Sequence, residues 1–370
     1  MWSCFRILKE REEERHFLEN GARILEELIT SFNGRSNPIR SFSKKVLKRA
    51  TNNYHQNGFL YQNFVYKLYK GTYEDRAILV KKFTANPSKE YMGWCIKEVA
   101  VASQMSNHKN VLKLLGCCLE TELPTLVYEF AASGCLSDHI FEEEFSPSKK
   151  YQQLSWESKL RIATEIAYAI AYLHTGMSKP IVHRFIYSRT IFLDQQYVAK
   201  LFEFGLSISI PLGETHADAN VVGYPGFIAP ESDSTRRFTV KSDVYSFGVV
   251  LFEILTGKRV LDLLKEVYGV SYGESLLVDG NEKGLRVYLK ANFVKGNIEQ
   301  LMACAELAIR CVTVNPEERP SMTEVAKELS RIISSARVAK AKALRVDFLL
   351  ATAQSPSPVI ILLDALPSRS

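Results

Sequence analysis

Lys241-Ser242-Asp243-Val244-Tyr245-Ser246-Phe247-Gly248-Val249-Val250-Leu251-Phe252-Glu253-Ile254-Leu255-Thr256-Gly257 is the stretch whose reading decides the fold. Val244, Phe247, Val250, Leu251, Ile254 and Leu255 recur at the three-and-four spacing that lines one side of an α-helix. Ser242 offers a hydroxyl to cap the start, and Gly257 can take the left-handed conformation that ends a helix. The pattern predicts a helix from about Asp243 to Thr256.

Working outward, Leu160, Ala163, Ile166, Ala167, Ile170 and Leu173 trace the apolar face of an earlier helix. Further helices are expected near 300–312 and 322–334. Upstream the texture changes: over 58–130 short apolar runs alternate with a single helix. Ala77–Phe83 and Leu123–Phe130 read as strands, and roughly Trp94–Met105 reads as the helix between them. A small β-rich lobe over about 41–130, followed by a larger helical lobe over about 131–335, is an α+β arrangement. Residues 1–40 read as an N-terminal amphipathic helix and linker. Within 9–30, Phe17, Gly21, Leu25 and Leu28 form the face expected to pack on the main domain; a dedicated partner helix is the alternative. Asn33-Gly34 and Asn37-Pro38 break the chain. The tail over 336–370, with Ser355-Pro356-Ser357-Pro358, is expected to be partly disordered.

Composition narrows the function. The chain has 370 residues, 46% hydrophobic and 24% charged, which suits a globular protein of one bilobal unit or two domains. The net charge of +6 is scattered, which argues against nucleic acid as a partner. Seven cysteines show neither metal spacing nor a disulfide framework, so a reducing compartment is expected. The start, Met1-Trp2-Ser3-Cys4-Phe5, lacks the apolar core of a leader, and Trp2 excludes myristoylation, which needs a glycine there. Cys4 is the one early candidate for palmitoylation. Val359 to Leu363 is too short to span a bilayer. The expectation is a cytoplasmic protein that contacts membrane only through partners, with recruitment to the plasma membrane.

Several stretches, taken together and in order, resemble the protein-kinase fold, and most closely the plant receptor-like kinase group. Val80-Lys81-Lys82 resembles the strand-three lysine motif, and His183-Arg184 the start of the catalytic loop. Phe204-Gly205-Leu206 is similar to the end of the metal-binding motif. Ala229-Pro230-Glu231 matches the end of the activation segment, residues 241–250 the central buried helix of the large lobe, and Arg319-Pro320-Ser321-Met322 the late arginine motif. The resemblance covers about residues 45–335. It implies a bilobal fold, a Lys81–Glu98 ion pair and a buried Glu231–Arg319 pair, with His183 and Phe204 as core residues.

The departures fall on chemistry. Phosphotransfer needs a carboxylate to accept the substrate hydroxyl proton, a group worth roughly 100- to 10,000-fold. By the resemblance that base belongs at position 185, which is Phe185. The asparagine that holds a second magnesium falls on Thr190, and Tyr187 stands where the family usually carries lysine. Glu203 replaces the metal-binding aspartate, one methylene further from the backbone, and magnesium demands near-ideal geometry. Tyr61, Asn63 and Tyr66 occupy the three glycine positions of the phosphate loop. Lys81, Glu98 and Glu203 therefore form at most a degenerate nucleotide site. No cofactor is expected beyond weak ATP binding, and no metal site.

Within plant kinase-like proteins the chain resembles the ZED-related cytoplasmic pseudokinases, in its charged N-terminal helix and in texture such as Leu114-Leu115-Gly116-Cys117-Cys118-Leu119-Glu120. That resemblance implies an immune adaptor: partners would be the leucine-rich repeats of a nucleotide-binding (NLR-type) immune receptor, receptor-like cytoplasmic kinases and bacterial effectors. An active or weakly active serine/threonine kinase using ATP, and an allosteric activator of a true kinase, are the alternatives. Residues 205–230 are the expected switch, with Ser207, Ser209, Thr215 and Tyr224 as candidate modification or contact sites and Arg184 beside them to pair with an added phosphate.

Overall fold

The computed structural model describes residues 2–32, 34, 37, 39–84, 88–141, 153–268 and 282–335. The expected tail over 336–370 and the Cys4 side chain lie outside what is described. The first lobe carries α1 (Trp2–Phe32), β1 (Arg40–Ser41), α2 (Lys44–Ala50), β2 (Phe59–Gln62), β3 (Tyr66–Tyr73), β4 (Arg76–Phe83), α3 (Lys89–Met105), β5 (Leu114–Cys118) and β6 (Thr125–Glu129). Its six-stranded sheet has the order β1-β5-β6-β4-β3-β2, antiparallel except where β1 runs parallel to β5. That last approach requires Gly116, because a Cβ there would stand 1.9 Å from the Arg40 carbonyl oxygen. Side chains alternate across a strand, so β4 serves two cores. Leu79 joins the cluster with Val99 of α3, while Ile78 and Val80 join the one with Leu47 of α2.

The N-terminal helix departs from the expected face. It buries Ile24, Leu28 and Phe32 together with Asn20, whereas Phe17 and Leu25 are exposed. Of the predicted stripe, only Leu28 is in the core. The reason is Asn20: its amide donates to the Leu119 and Thr121 carbonyls at 3.0 and 2.9 Å, so a polar residue anchors the buried face and masks its periodicity.

The second lobe follows with α4 (Ser137–Ile140), α5 (Trp156–Thr175), β7 (Ile181–Val182), β8 (Ile191–Leu193), β9 (Ala199–Leu201), β10 (Ile208–Ser209), β11 (Ala217–Asp218), α6 (Pro230–Thr235), β12 (Arg237–Phe238), α7 (Val240–Thr256), α8 (Val260–Tyr268), α9 (Glu282–Ala291), α10 (Ile298–Cys311) and α11 (322–335). The observed bounds of the strands and helices read from the sequence lie within a few residues of expectation, except that α1 starts at Trp2 rather than near residue 9 and α3 at Lys89 rather than Trp94.

Helix α7 is the centre of this lobe, buried on every side from Ser242 to Thr256. Its cap is Thr239, not Ser242. The Thr239 hydroxyl accepts from the Lys241 N–H at 3.0 Å, and Ser242 returns the bond by accepting from the Thr239 N–H at 3.1 Å. This reciprocal box moves the start to Val240. Gly257 ends the helix in the left-handed region, φ 67°. At the lobe's edge, Arg319 places all five of its N–H donors. Two go to the carboxylate of Glu231 at 2.7 and 2.9 Å, and three to the carbonyls of Thr313, Lys241 and Val314. The described cysteines are buried thiols without disulfides.

Candidate functional site

The cleft between the lobes is organised around Lys81, carried inward by β4 and only 1% exposed. Its ammonium donates to Glu98 of α3 at 2.6 Å and to Glu203, just beyond β9, at 2.8 Å. The ring of Tyr66 lies 4.2 Å from the same nitrogen, and those of Phe83 and Phe202 at 5.1 Å. Burial opposes the charge on Lys81, but Glu203 and Glu98 outweigh it and raise its pKa. Glu98 is pushed the other way from a free carboxylate: desolvation raises its pKa, against the pull of Lys81. The Tyr128 hydroxyl donates to the second oxygen of Glu98 at 2.7 Å.

Two of the three ammonium hydrogens are therefore committed to carboxylates, and the Tyr66 face stands over the nitrogen. Tyr66 is 6% exposed. The turn that presents it is fixed by Asn63, whose side-chain oxygen accepts from the Val65 and Tyr66 N–H groups at 2.9 and 2.8 Å. Of the three residues at the expected glycine positions, Asn63 thus holds the turn and Tyr66 fills the space. Tyr61 closes the outer edge under the Arg189 guanidinium, 5.4 Å from its ring. What remains of the cleft is a 500 Å³ cavity lined by Leu68, Leu79, Phe130, Cys135 and Thr190 among others.

The catalytic-loop positions serve the backbone. The Thr190 hydroxyl lies within hydrogen-bond distance of the Phe185 and Tyr187 carbonyls, at 3.1 and 2.9 Å, and accepts from the Tyr187 N–H at 3.2 Å. Phe185 packs edge-on against Tyr187, ring centroids 5.0 Å apart. The loop is suspended from Asp243 at the start of α7, which accepts from the His183 and Arg184 N–H groups at 2.7 and 2.9 Å and meets His174 Nε2 at 2.9 Å. His183 and Phe204 are core residues, 0% exposed.

A nucleoside triphosphate with magnesium does not fit these residues. Two of the three Lys81 hydrogens are spent on carboxylates, the Tyr66 ring stands 4.2 Å from the nitrogen across the approach, and Thr190 is spent on the loop. Among the described residues one oxygen of Glu203 is buried with no hydrogen-bond partner, a feature that favours a cation.

The activation-segment residues separate into two kinds. Ser207 is 1% exposed, its hydroxyl enclosed, which corrects its reading as an accessible modification site. Ser209 is half-buried in β10, paired with Ile181 of β7. Thr215 is exposed. Tyr224 is half-exposed and stacked on Tyr187, 5.4 Å apart at 11°. Arg184 is already engaged: it donates to the Leu206 and Asn220 carbonyls, and its guanidinium sits 4.0 Å over Phe238. Burial lowers its pKa to about 10, so it stays charged at neutral pH. Arg184 and Glu203 both hold a positive φ, 66° and 72°. Such strain persists only where surrounding contacts fix it.

Sequence reasoning missed three contributors: Asp243 as the loop anchor, Tyr128 as the second partner of Glu98, and Arg189 against Tyr61. A carboxylate in the first turn of an otherwise apolar helix was the signal for Asp243. The other two carry no local signal.

A profile of the family described as protein tyrosine and serine/threonine kinase matches residues 60–329. Three curated proteins of Arabidopsis thaliana are similar over most of this chain. The one named serine/threonine-protein kinase ZRK1 is 38% identical over 339 residues, 88% of this chain and 95% of its own length. The one named non-functional pseudokinase ZRK2 is 35% identical over 347 residues, 88% of this chain and 91% of its own. Wall-associated receptor kinase-like 1 is 38% identical over 336 residues, 90% of this chain but 45% of its own length, so this chain spans about half of that relative.

Proposed function

This chain belongs to the protein tyrosine and serine/threonine kinase family, and we propose that within it the chain is a pseudokinase that works as an adaptor in plant innate immunity. The observation that carries this is the pairing of Phe185, where proton acceptance needs a carboxylate, with a Lys81 ammonium already closed off by Glu98, Glu203 and Tyr66. The relative named a non-functional pseudokinase supports the reading; the relative named a serine/threonine kinase supports the alternative. That alternative also has a structural point in its favour, the Lys81–Glu98 pair that active kinases require. The third reading, an allosteric activator of a true kinase, has no specific observation behind it.

A chain without phosphotransfer acts through what it binds and the shape it holds. In this reading it docks on the leucine-rich repeats of an NLR-type receptor in the cytoplasm and reports bacterial effectors or the receptor-like cytoplasmic kinases they modify. Among the described residues no helix is long and apolar enough to cross a membrane, so plasma-membrane recruitment would come through partners. Partner contact falls on the exposed loop 211–216, where Leu212 is 76% exposed, rather than on the buried stretch that begins at Leu206.

The test has two arms. The purified chain is expected to transfer no phosphate to itself or to generic substrates with magnesium or manganese, and Phe185→Asp alone is expected not to restore transfer. Turnover abolished by Lys81→Ala would select the kinase reading. In co-precipitation, receptor binding is expected to survive replacement of 211–216 by a Gly-Ser linker while recruitment of the modified kinase fails. An intact chain that binds no such receptor overturns the adaptor role.

A further inference from the structure

Away from the cleft, the helical lobe holds a larger cavity of 1450 Å³ that the reading above does not use. It opens between the start of α5, the end of α7, the start of α8 and residues 293–295. A pocket of that size takes a ligand of several rings or charged groups.

Its lining combines cations with aromatic walls. Lys159, Lys258, Arg259 and Lys295 face it against one carboxylate, Asp262. Two of the cations have other engagements. Lys258 pairs with Glu266 at 2.7 Å, and Arg259 stacks over Phe141 at 4.5 Å. Lys295 is exposed at the rim. Lys159 differs from all three. It is 5% exposed, one turn into α5, and has no hydrogen-bond or ion-pair partner for its ammonium among the described residues. Burial depresses its pKa. The nitrogen itself is not enclosed, so the ammonium meets the solvent of the cavity, where an anion can reach it. Beside it the Trp156 indole is held in place by its N–H donating to Gln300 at 3.0 Å, so the wall is rigid before any ligand arrives.

We propose that this cavity is a binding site for a polyanionic, phosphate-bearing small molecule, with Lys159 as the buried counter-charge, Lys295 and Arg259 as rim contacts and Trp156 as a flat wall. The anion supplies Lys159 with a partner that none of the described residues provides. Both a soluble phosphate ester and the phosphorylated headgroup of a lipid present this chemistry.

The experiment uses the full chain and two probes: inositol hexakisphosphate by calorimetric titration, and flotation on phosphatidylcholine vesicles with and without phosphatidylinositol 4-phosphate. Binding of the soluble probe alone assigns a free ligand; flotation that needs the phosphorylated lipid assigns a headgroup; either supports the site. Lys159→Met is expected to weaken binding at least ~10-fold while melting at or above the wild-type temperature, since the stem's volume is kept and an unpaired charge removed. Lys295→Met is expected to weaken it several-fold and Lys109→Met, a distant exposed lysine, not at all. Should Lys159→Met fail to fold, the exposed Lys295→Glu decides in its place, with loss of binding expected. The proposal is overturned if neither probe binds, if binding is the same with Lys159→Met, or if Lys109→Met weakens it as much as the pocket variants.

Discussion

Replacing Lys81 by methionine is expected to destabilise the protein strongly without any nucleotide being involved. In the native structure the ammonium lies 2.6 Å from Glu98 and 2.8 Å from Glu203, with side-chain exposures of 1%, 1% and 8%. Methionine keeps the length of the stem and removes only the charge, leaving two carboxylates buried together. Removing one partner of a buried pair costs about 3–5 kcal/mol. The Tyr128 hydroxyl on Glu98 reduces the loss, and mutual repulsion of the two acids adds to it, so the middle of that range is the expectation at pH 8.

The cost must depend on pH in a fixed direction. Lys81 has a raised pKa, so its contribution is complete below the unfolded value of 10.5 and is lost only as pH rises above that; it is intact from pH 5 to 8. Glu98 also has a raised pKa, above 4.5, so the folded state holds its proton more tightly and stability falls as pH rises through that region. Without Lys81 the Glu98 carboxyl loses the pull that opposes its desolvation and is pushed further up. The penalty of Lys81→Met should therefore be largest at pH 8 and shrink toward pH 5, where protonation relieves it. Urea unfolding followed by circular dichroism at several pH values measures this. Adding Glu203→Gln to Lys81→Met should recover about 1–2 kcal/mol at pH 8 by removing one of the stranded charges. A cost below about 1 kcal/mol at pH 8, or one that grows as pH falls, refutes the argument that Lys81 is held by its carboxylates.

Two further outcomes follow from buried charges elsewhere. Burial raises the pKa of Glu253 to about 7, so native stability should fall between pH 4.5 and 7 and level off above; Glu253→Gln should flatten that slope and be about 3 kcal/mol more stable than wild type at pH 8, whereas parallel melting curves across pH would sink the idea. Arg319→Lys keeps the charge but cannot serve the carboxylate of Glu231 and three carbonyls from one planar group, and a loss of about 3 kcal/mol in urea unfolding is expected; a loss under about 1 kcal/mol would show that the fork geometry is not what matters.

The parts of the fold legible in the sequence are those written in local periodicity. The stripe of α7 and its Gly257 stop were readable because both lie within one helix. The cap was misplaced by a turn because Thr239 and Ser242 are both hydroxyl residues, and only their reciprocal bonds distinguish them. The face of α1 was misread because Asn20 does apolar duty at a buried position, and its partners lie about a hundred residues away. In the cleft, motif resemblance pointed to Lys81, Glu98 and Glu203 one by one. It did not show that Glu203 would turn its carboxylate onto Lys81, since that depends on a φ of 72° and on a contact between residues 122 apart. The burial of Ser207 was invisible for a related reason: serine alternates with Leu206, Ile208 and Ile210 there, and only the pairing of the neighbouring β10 with the distant β7 fixes which residues are enclosed.

The replacement of aspartate by glutamate at 203 has a consequence for shape as well as for chemistry. Lys81 sits on β4 and Glu98 on α3, both in the first lobe, whereas Glu203 follows β9 in the second. The longer carboxylate therefore closes a link between the lobes from side chains alone. A positive φ at a residue with a Cβ costs about 1–2 kcal/mol, while a charge-assisted hydrogen bond contributes about 1.5–3 kcal/mol, so the strained turn at Glu203 is offset by the bond it makes. Tyr66, seated over Lys81, adds an apolar roof from the first lobe. In an enzyme of this fold, nucleotide and metal would bridge the same gap and leave after each turnover. Here the bridge is made of the chain's own side chains, so it needs no nucleotide to form. Under the adaptor role proposed above such a link matters, because a partner can shift a conformational equilibrium only by its differential affinity for the two states. In the pseudokinase reading proposed above, the side chains that crowd the nucleotide position are also the ones that link the lobes, and Glu203→Asp, by shortening the link, is the change that would loosen it.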